Sequence, residues 1–196
     1  LVLENIKYEN NTKHAAVQDI HLLECGIVNN GVLTIINSTF SDNYQVVNSQ
    51  LGSVLRIYNS TFSKNTGTYG ALTTLAMTSI IDNCKFINNS ANVNIWQDGG
   101  ALKLGSSNWA PKVYLSNNIF INNMATRYGG AIYANANLYL TNNTAKDNYV
   151  RGYNGANGDF LYIYNGDTLM DRTYLTVLNN ETVNITSSSI PITVTW

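Results

Sequence analysis

The sequence is poor in the residues on which helical, membrane-spanning and disulfide-bonded proteins depend. Of its 196 residues only 2 are proline and 2 are cysteine, and Asp, Glu, Lys and Arg together make 12% of the chain. The strong helix formers Glu and Lys are scarce, which argues against a helical fold. No apolar run approaches the roughly 20 residues of a transmembrane helix. Because no signal-like segment precedes the first repeat, we interpret the chain as a processed piece of a longer protein.

The balance of charge excludes several classes of partner. The net charge is −1, and the sequence has neither a basic block nor an acidic tail. Nucleic-acid binding requires a clustered positive surface and membrane attachment a polybasic stretch, so neither nucleic-acid binding nor direct membrane insertion is expected. Cys25 and Cys84 are too few for a disulfide scaffold or a CxxC metal site, and they could either pair or remain free thiols.

Asparagine is abundant, with 31 residues, and it follows a repeat. The pattern Asn-x-x-aromatic-x-x-Asn occurs six times, with successive leading Asn residues 32, 22, 24, 34 and 25 positions apart. The leading residues are Asn5, Asn37, Asn59, Asn83, Asn117 and Asn142. The aromatic position holds Tyr8, Phe40, Phe62, Phe86 and Phe120, and Ala145 replaces the aromatic residue in the last copy. Unequal spacing around a fixed motif indicates loops of variable length at a constant corner.

A short alternating run precedes each motif, as in Leu33-Thr-Ile35 before Asn37. Such alternation is typical of a strand with one buried face. Continued through the motif, it places the leading Asn and the following Phe inside, where the amides of successive coils would form a hydrogen-bonded ladder. The predicted structural ladder comprises the six leading Asn residues and the four Phe residues, Phe40, Phe62, Phe86 and Phe120.

A second strand begins with glycine in most coils, as in Gly99-Gly-Ala-Leu102 and Gly129-Gly-Ala-Ile132. Paired glycines suit a tight corner, and alanine fits where backbones approach closely. Several short strands within each period of 22 to 34 residues predict an all-β fold. Specifically, we predict a right-handed, single-stranded parallel β-helix, which is a solenoid, of about seven coils.

The repeat fades toward the end of the chain. Residues 1–171 are predicted to form the β-helix repeats, whereas Tyr174–Leu178 and Ile190–Trp196 have the composition of β segments in another register. Residues 172–196 are therefore interpreted as a C-terminal cap, which would cover exposed strand edges, or as the start of a following β-sandwich module.

Two sets of motifs resemble known families. Gly99-Gly-Ala-Leu102 and Gly129-Gly-Ala-Ile132, with Phe86-Ile-Asn-Asn89 and Phe120-Ile-Asn-Asn123, resemble the paired GGAI and FxxN motifs of chlamydial polymorphic outer-membrane proteins. The repeated Asn-Ser-Thr-Phe and the high Asn and Tyr content look still more like the adhesin-like proteins of methanogenic archaea. The resemblance covers about residues 1–165, although the second and third coils lack the GGA element. It implies a β-helix at the cell surface that attaches to other cells or surfaces.

Carbohydrate-cleaving β-helices are the enzymatic alternative. Hydrolysis needs paired carboxylates that face a groove, and lyase chemistry usually needs clustered acids for calcium with a basic proton acceptor. The acidic residues occupy unrelated positions of the repeat, and the nearest approach to a cluster, Asp159 with Asp167 and Asp171, is explained by solvated turns. His14 and His21 have no further ligands beside them. We therefore expect no catalytic activity, no metal and no cofactor.

The candidate ligand-binding residues are aromatic. Tyr114 and Tyr139 occupy the same outward position in successive coils, and Tyr58 lies two residues further along in an earlier coil. Such a stripe could form a platform for a sugar ring or a protein partner, or a packing ladder that covers the sheet. Trp96 and Trp109 lie in long loops, which are usual places for recognition, and could form a binding edge or anchor their loops.

Asn-x-Ser/Thr sequons offer candidate sites of glycosylation in a secreted chain. Asn10, Asn88, Asn180 and Asn184 are the predicted sites. Sequons also begin at Asn37, Asn59 and Asn142, but their predicted burial in the ladder excludes modification.

Together these patterns predict a non-catalytic, adhesin-like protein displayed at the cell surface. As part of a larger secreted or anchored protein it would bind a glycan or protein partner on another cell or surface through outward aromatics and loops. One alternative is a structural stalk or filament protomer with end-to-end self-association. A second alternative is a polysaccharide lyase or glycosidase.

Overall fold

The computed structural model describes residues 1–11, 26–106, 109–152 and 158–164 in full, and the backbone of residues 185–187. Within these residues the chain forms 23 strands in four parallel sheets, and no helix occurs among them. Each sheet takes one strand from each successive coil, so the strands of one sheet are far apart in sequence and adjacent in space. The predicted all-β parallel solenoid is confirmed.

The first sheet contains the strands that precede the leading Asn residues. Its strands in spatial order are β1 (Val2–Glu4), β4 (Val32–Ile36), β7 (Val54–Tyr58), β11 (Thr78–Asp82), β15 (Lys112–Ser116) and β19 (Asn137–Thr141). The second sheet follows the leading Asn and holds the aromatic position. Its strands are β2 (Lys7–Glu9), β5 (Thr39–Ser41), β8 (Thr61–Ser63), β12 (Lys85–Ile87), β16 (Ile119–Ile121) and β20 (Thr144–Lys146).

The third sheet is built from two-residue strands after the closing Asn of each motif. Its strands are β9 (Thr66–Gly67), β13 (Ser90–Ala91), β17 (Met124–Ala125) and β21 (Tyr149–Val150). The fourth sheet contains the strands of the last side of each coil. Its strands are β3 (Ile27–Asn29), β6 (Val47–Ser49), β10 (Leu72–Thr74), β14 (Leu102–Leu104), β18 (Ile132–Ala134), β22 (Leu161–Ile163) and β23 (Ile185–Ser187). Four of these, β10, β14, β18 and β22, follow a glycine corner.

The core follows the predicted alternation of the first sheet. Leu55 pairs with Leu33 and Ile57 pairs with Ile35, and all four side chains are buried. Arg56, between them in sequence, is only half-buried and lies on the outer face. Because equivalent residues stack in register, each apolar position continues through the coils as a buried column, which no single coil could form alone.

The leading Asn residues are not inside, and the prediction of a buried ladder from Asn5, Asn37, Asn59, Asn83, Asn117 and Asn142 is wrong. All six are exposed, and each has a positive φ between 49° and 56°. The left-handed conformation turns the chain between the first and second sheets, which breaks the period-two alternation on which the prediction depended. Their amides form hydrogen bonds between coils only at the surface, for example from Asn83 Nδ2 to Asn59 Oδ1 at 2.8 Å.

The buried ladder is formed instead by the closing Asn of each motif. Its members are Asn11, which is exposed at the first coil, and the buried residues Asn43, Asn65, Asn89, Asn123 and Asn148. Asn65 Nδ2 donates to Asn89 Oδ1 and to the carbonyl oxygen of Phe40, each at 3.0 Å. Asn65 Oδ1 accepts from both the backbone and the side-chain nitrogen of Asn43. All four hydrogen-bonding positions of this buried amide are satisfied, which removes a cost of about 1–3 kcal/mol for each group left unpaired.

The four Phe residues are buried as predicted and form a continuous stack. Successive ring centroids, from Phe40 through Phe62 and Phe86 to Phe120, lie 4.9, 5.1 and 5.0 Å apart with nearly parallel planes. Tyr8 continues the stack at a tilt, with its centroid 6.1 Å from that of Phe40. The stack thus fills the interior behind the second sheet.

The glycine corners allow adjacent coils to approach closely. Gly99 and Gly129 have φ values of 70° and 65°, a region that residues with a side chain rarely adopt. A Cβ on Gly100 would lie 2.1 Å from the carbonyl oxygen of Gly130 in the next coil. No side chain fits between these backbones, which accounts for the paired glycines in the sequence.

The predicted boundary at residue 172, with Tyr174–Leu178 and Ile190–Trp196, lies outside the described residues and stays a prediction. Beyond that boundary, β23 pairs in parallel with β22, so the fourth sheet continues to residue 187. Cys25 also lies outside the described residues. Cys84 is a free, buried thiol beneath the first corner.

Candidate functional site

Tyr114 and Tyr139 form a stacked pair on the outer face of the first sheet. Their ring centroids are 4.6 Å apart and the ring planes differ by 11°. Because each ring covers a face of the other, the pair presents ring edges and hydroxyls outward, an arrangement typical of a cross-strand packing pair. Tyr58 does not join this pair, since it is in register with Asp82, whereas Tyr114 is in register with Ile80.

Trp109 is half-buried in the loop that follows β14. Its backbone exchanges two hydrogen bonds with Ser106, at 3.0 and 3.1 Å. Its indole nitrogen is buried without a hydrogen-bond partner among the described residues. This environment favours the anchoring of the loop over a place at a binding edge.

Among the described aromatic residues that were predicted to bind a ligand, Trp96 is the most exposed. The exposed fractions of Val93, Ile95 and Trp96 are 48%, 50% and 66%. These three side chains form the apolar tip of a loop between β13 and the corner at Gly99. Contiguous exposed apolar side chains on an ordered surface are typical of sites that contact a partner.

The Trp96 loop is held by hydrogen bonds from both sides. Val93 N donates to Gln97 Oε1 at 2.7 Å across the loop. From the next coil, Thr126 Oγ1 donates to Asn94 O at 2.8 Å and accepts from Gln97 N at 3.0 Å. Because these hydrogen bonds fix the backbone of the loop, binding at its tip need not include the entropic cost of ordering that backbone.

An ion pair fixes the base of this loop. Arg127 Nε donates to Asp98 Oδ1 at 2.7 Å, and Arg127 Nη2 donates to Asp98 Oδ2. The Asp98 carboxylate is almost fully buried, whereas Arg127 is about one-third exposed. This bidentate geometry satisfies both carboxylate oxygens and orients the guanidinium toward its aromatic neighbours.

From Trp96 a continuous series of aromatic and cationic side chains crosses the coils to Tyr69. We call it the aromatic strip, and its members in order of contact are Trp96, Arg127, Tyr128, Tyr162, Tyr133, Lys103 and Tyr69. The Arg127 guanidinium lies 5.9 Å from the Trp96 ring and 5.0 Å from the Tyr128 ring. Lys103 Nζ lies 3.4 Å from the Tyr69 centroid and 5.7 Å from that of Tyr133. These are cation–π distances.

The register of the fourth sheet explains the strip. Lys103, Tyr133 and Tyr162 are paired directly across β14, β18 and β22, and the side chains of Tyr133 and Tyr162 are buried in the stack, at 9% and 6% exposure. Tyr69 and Tyr128 each immediately precede a glycine of positive φ, so the corner places them beside that column. The repeat therefore assembles in space residues that are separated by about one coil in sequence.

Charge in the strip is unevenly compensated. Asp98 is bound by Arg127, and Lys103 Nζ has no carboxylate or hydrogen-bond partner among the described residues. Burial lowers the pKa of Lys103 to about 8, and the attraction of Asp98 only partly opposes this effect. Burial also raises the pKa of the Tyr133 hydroxyl, so this phenol remains a neutral donor. The strip thus combines the neutral phenol of Tyr133 with a cation, Lys103, that no carboxylate of the described residues binds.

One group of the aromatic strip is suited to proton transfer. The described residues contain no group of three His, Cys, Asp or Glu side chains that could hold a metal ion, and His14, His21, Asp167 and Asp171 lie outside them. Asp159 Oδ1 accepts a hydrogen bond from the backbone of Val150 at 3.2 Å in a turn. Among the residues that the structure describes, only Lys103, with its lowered pKa, departs from an ordinary surface group in a way that catalysis would use.

Sequence reasoning missed most of the strip. It identified neither the tyrosines that precede the corner glycines, Tyr69 and Tyr128, nor the charged residues Lys103, Asp98 and Arg127. A tyrosine immediately before the corner glycine in Tyr69-Gly70 and Tyr128-Gly129 is the signal that could have revealed it. Of the predicted glycosylation sites, Asn10 and Asn88 are exposed at corners, and Asn180 and Asn184 lie outside the described residues.

Comparison with known proteins agrees with this architecture. The model of the family described as right handed beta helix region matches residues 3–182. No curated protein and no solved structure matches the chain significantly. The described residues include no helix with the length and apolarity that a membrane span requires.

Proposed function

We propose that this chain, which belongs to the right-handed β-helix family, is a recognition module. The fold of that family serves both enzymes, such as pectate lyases, and non-catalytic proteins, so the proposal rests on the surface of this chain. The chain binds a glycan or protein partner through the aromatic strip and the Trp96 loop. The observation that carries this proposal is the apolar loop tip, with Trp96 66% exposed, held in place by hydrogen bonds to the next coil. An exposed indole on a rigid scaffold is typical of a residue that dominates a binding energy.

The finer proposal is an adhesin-like role at the cell surface. It is supported by the GGA and FxxN motifs in adjacent coils and by exposed sequons at the corners. In this role the chain is the extracellular part of a larger secreted or anchored protein, and many copies on one surface strengthen a weak contact through multivalency. End-to-end self-association, the basis of the stalk alternative, stays a prediction that concentration-dependent sedimentation would test.

The test is binding by beads that display many copies of the chain, on a glycan array and on cells. Trp96→Ala is expected to reduce retention at least tenfold, because it removes the exposed anchor without changing the buried base of the loop. Leu51→Ala is the matched control, since Leu51 is 59% exposed in the turn before β7 of the first sheet. Retention that is equal for wild type and Trp96→Ala, or absent for wild type on every surface, contradicts the proposal.

One observation favours a second candidate, a polysaccharide-cleaving enzyme. The lowered pKa of Lys103 leaves part of the amine population neutral near pH 8, and a neutral amine can accept a proton. Such an enzyme would release new reducing ends from acidic or neutral glycans, and Lys103→Met would abolish their release. Absence of cleavage over a panel of such glycans removes this candidate and leaves the recognition module.

A further inference from the structure

The Trp96 loop, residues 92–98, is longer than the equivalent connections of the adjoining coils. It joins the third sheet to a corner glycine with seven residues, whereas residues 68–69 and 126–128 make the same connection in the coils before and after it. Neighbouring coils are only about 4.8 Å apart, so the additional residues have no room within the wall of the solenoid. They project from it, and residues 92–96 are all exposed.

The projecting tip is apolar and small. From their exposed fractions, Val93, Ile95 and Trp96 together present on the order of 300 Å² of apolar and aromatic surface. A stable protein–protein interface buries about 800 Å² on each partner, so the tip alone is too small for one. A lipid interface requires no complementary surface, and a few inserted side chains contribute to attachment. Tryptophan in particular is enriched at the boundary between lipid and water.

Hydrogen bonds within the fold satisfy polar groups of the loop backbone. The backbone nitrogens of Val93 and Trp96 donate to the side-chain oxygens of Gln97 and Asn94, at 2.7 and 2.9 Å. Asn94 O accepts from Thr126 Oγ1 of the next coil at 2.8 Å, and Gln97 N donates to the same hydroxyl oxygen at 3.0 Å. An unpaired backbone group is costly in an apolar medium, so this internal pairing lowers the cost of moving the tip out of water.

Charge does not oppose the approach of the tip to a membrane. Residues 92–97 contain no charged side chain. Asp98, at the base of the loop, is almost fully buried and is bound by both Nε and Nη2 of Arg127. Because a charge is costly to remove from water, an uncharged tip is the part of this surface that can enter an apolar medium. Attachment should then depend on apolar contact and not on the charge of the lipid.

We infer that the tip of the Trp96 loop inserts into the interfacial region of a lipid bilayer, with Val93, Ile95 and Trp96 between the headgroups and the acyl chains. This inference rests on the proposed recognition function and adds a lipid surface to the partners of the same loop. The sequence predicts no direct membrane insertion because it lacks a long apolar run and a polybasic stretch, but a projecting tip requires neither. Attachment by one copy is weak, and display of many copies on one surface strengthens it.

The experiment measures the retention of fluorescent vesicles of phosphatidylcholine by beads that display many copies of the full chain. Trp96→Ala should reduce retention at least tenfold, and Ile95→Ser at least threefold, because each removes apolar contact with the acyl chains. Leu51→Ala is the matched control and should be retained like wild type, since Leu51 is 59% exposed in a turn before the first sheet. Equal midpoints of thermal unfolding for the four proteins show that the substitutions act on the surface and not on the fold.

Two further measurements identify insertion. Lipids with brominated acyl chains quench an indole that enters the bilayer, so they should quench the fluorescence of wild type. Trp96→Phe keeps an apolar tip and should still retain vesicles, but it should lose this quenching although Trp109 and Trp196 remain. Since the contact is apolar, an increase from about 0.1 to about 0.5 M salt, or the addition of phosphatidylglycerol to about 30%, should change retention less than about twofold.

The outcomes that would overturn the inference are separable from failure of the proposed function. If no vesicles are retained while retention on cells or on the glycan array still depends on Trp96, the lipid partner is rejected and the recognition module stands. Loss of that cell retention after protease treatment of the cells then identifies a protein partner. Equal retention of vesicles by wild type and Trp96→Ala rejects insertion of this loop. If wild type is retained on no vesicle, array or cell, both the inference and the proposed function are wrong.

Discussion

The ring of Phe160 packs against that of Phe120, with centroids 5.6 Å apart and planes inclined at 59°. Phe120 is in register with Ala145, so the sixth coil supplies no aromatic ring to continue the Phe stack. Phe160, which precedes β22 of the fourth sheet, covers the ring of Phe120 from another side of the solenoid and is itself buried. The loss of the repeat aromatic at one position is therefore offset by an aromatic residue from a different sheet.

Replacement of Phe160 by Ala should lower the free energy of unfolding by about 3 kcal/mol, because it opens a cavity beside Phe120. Ala145→Phe alone should also destabilise the fold, since Phe160 already fills the space beyond Phe120. In the double variant the two changes should partly compensate. Urea denaturation of the four proteins gives the interaction energy directly. Strictly additive effects would show that Phe160 and residue 145 do not share this space.

The two Asn positions of one corner should differ sharply in their contribution to stability. Asn89 is fully buried within the ladder, whereas its neighbour Asn88 is exposed with a φ of 57°. Asn89→Ala leaves the amides of Asn65 and Asn123 without one partner each and should cost about 3 kcal/mol or more. Asn88→Gly preserves the left-handed backbone and should change stability by less than about 0.5 kcal/mol. Equal midpoints of thermal unfolding for the two variants would contradict the assignment of the ladder.

Cys84 should be inert in the folded protein. Burial raises the pKa of its thiol to about 12, and its Sγ lies 3.2 Å from the carbonyl oxygen of Asp82, to which it donates. Since the thiolate is the reactive form, labelling by a thiol reagent at pH 8 should be slow in the native state and fast in urea. The measurement uses a Cys25→Ser protein, in which Cys84 is the remaining cysteine. Rapid labelling of the native protein would place the thiol at the surface.

The raised pKa of Cys84 should also affect stability. Because it disfavours ionisation only in the folded state, the free energy of unfolding should fall as the pH rises above about 9.

Exposure of the leading Asn residues extends the set of candidate glycosylation sites. Asn37 and Asn59 stand at the same corner of neighbouring coils, and both begin sequons. Neighbouring strands are about 4.8 Å apart, which is too close for two full glycans. Expression in a host that glycosylates Asn-x-Ser/Thr should therefore modify Asn10, Asn88 and Asn142, and either Asn37 or Asn59 on a given molecule. Mass spectrometry of glycopeptides tests this pattern. Simultaneous full occupancy of Asn37 and Asn59, or no occupancy at any of the five, would contradict it.

The strands, the Phe stack and the glycine corners could be predicted because each depends on a local pattern that repeats. Alternation could not predict whether the side chain of the leading Asn points inward or outward. A residue of positive φ, such as Asn37, ends the strand, so the inward and outward positions no longer alternate beyond it. The closing residue, such as Asn43, is inside because two such corners, at Asn37 and Asp42, precede it. A count of strand positions alone contains no information on these corners.

The aromatic strip could not be predicted from single positions of the repeat. The strand that contains Lys103 has no aromatic residue. Lys103 can be recognised as part of the strip only from its contacts with the rings of Tyr69 and Tyr133 in the neighbouring coils. Trp96 was predicted from its loop, yet the contact with Arg127 depends on a loop pairing between coils. The binding role of Trp96 and the proton-transfer role of Lys103 stay predictions for the experiments described above.

The buried ladder has a direction. From Asn11 to Asn123 each side-chain amide donates to the Oδ1 of the ladder Asn in the following coil. The second donor of an interior member, such as Asn65, goes to a backbone carbonyl oxygen of the preceding coil. Removal of residues 66–89 would bring Asn65 next to Asn123 with the same donor and acceptor, and duplication of that segment would add one more Asn to the ladder. With respect to the ladder, whole coils are thus interchangeable units of insertion and deletion, and the length of the solenoid can change by recombination without the loss of a hydrogen bond between ladder residues.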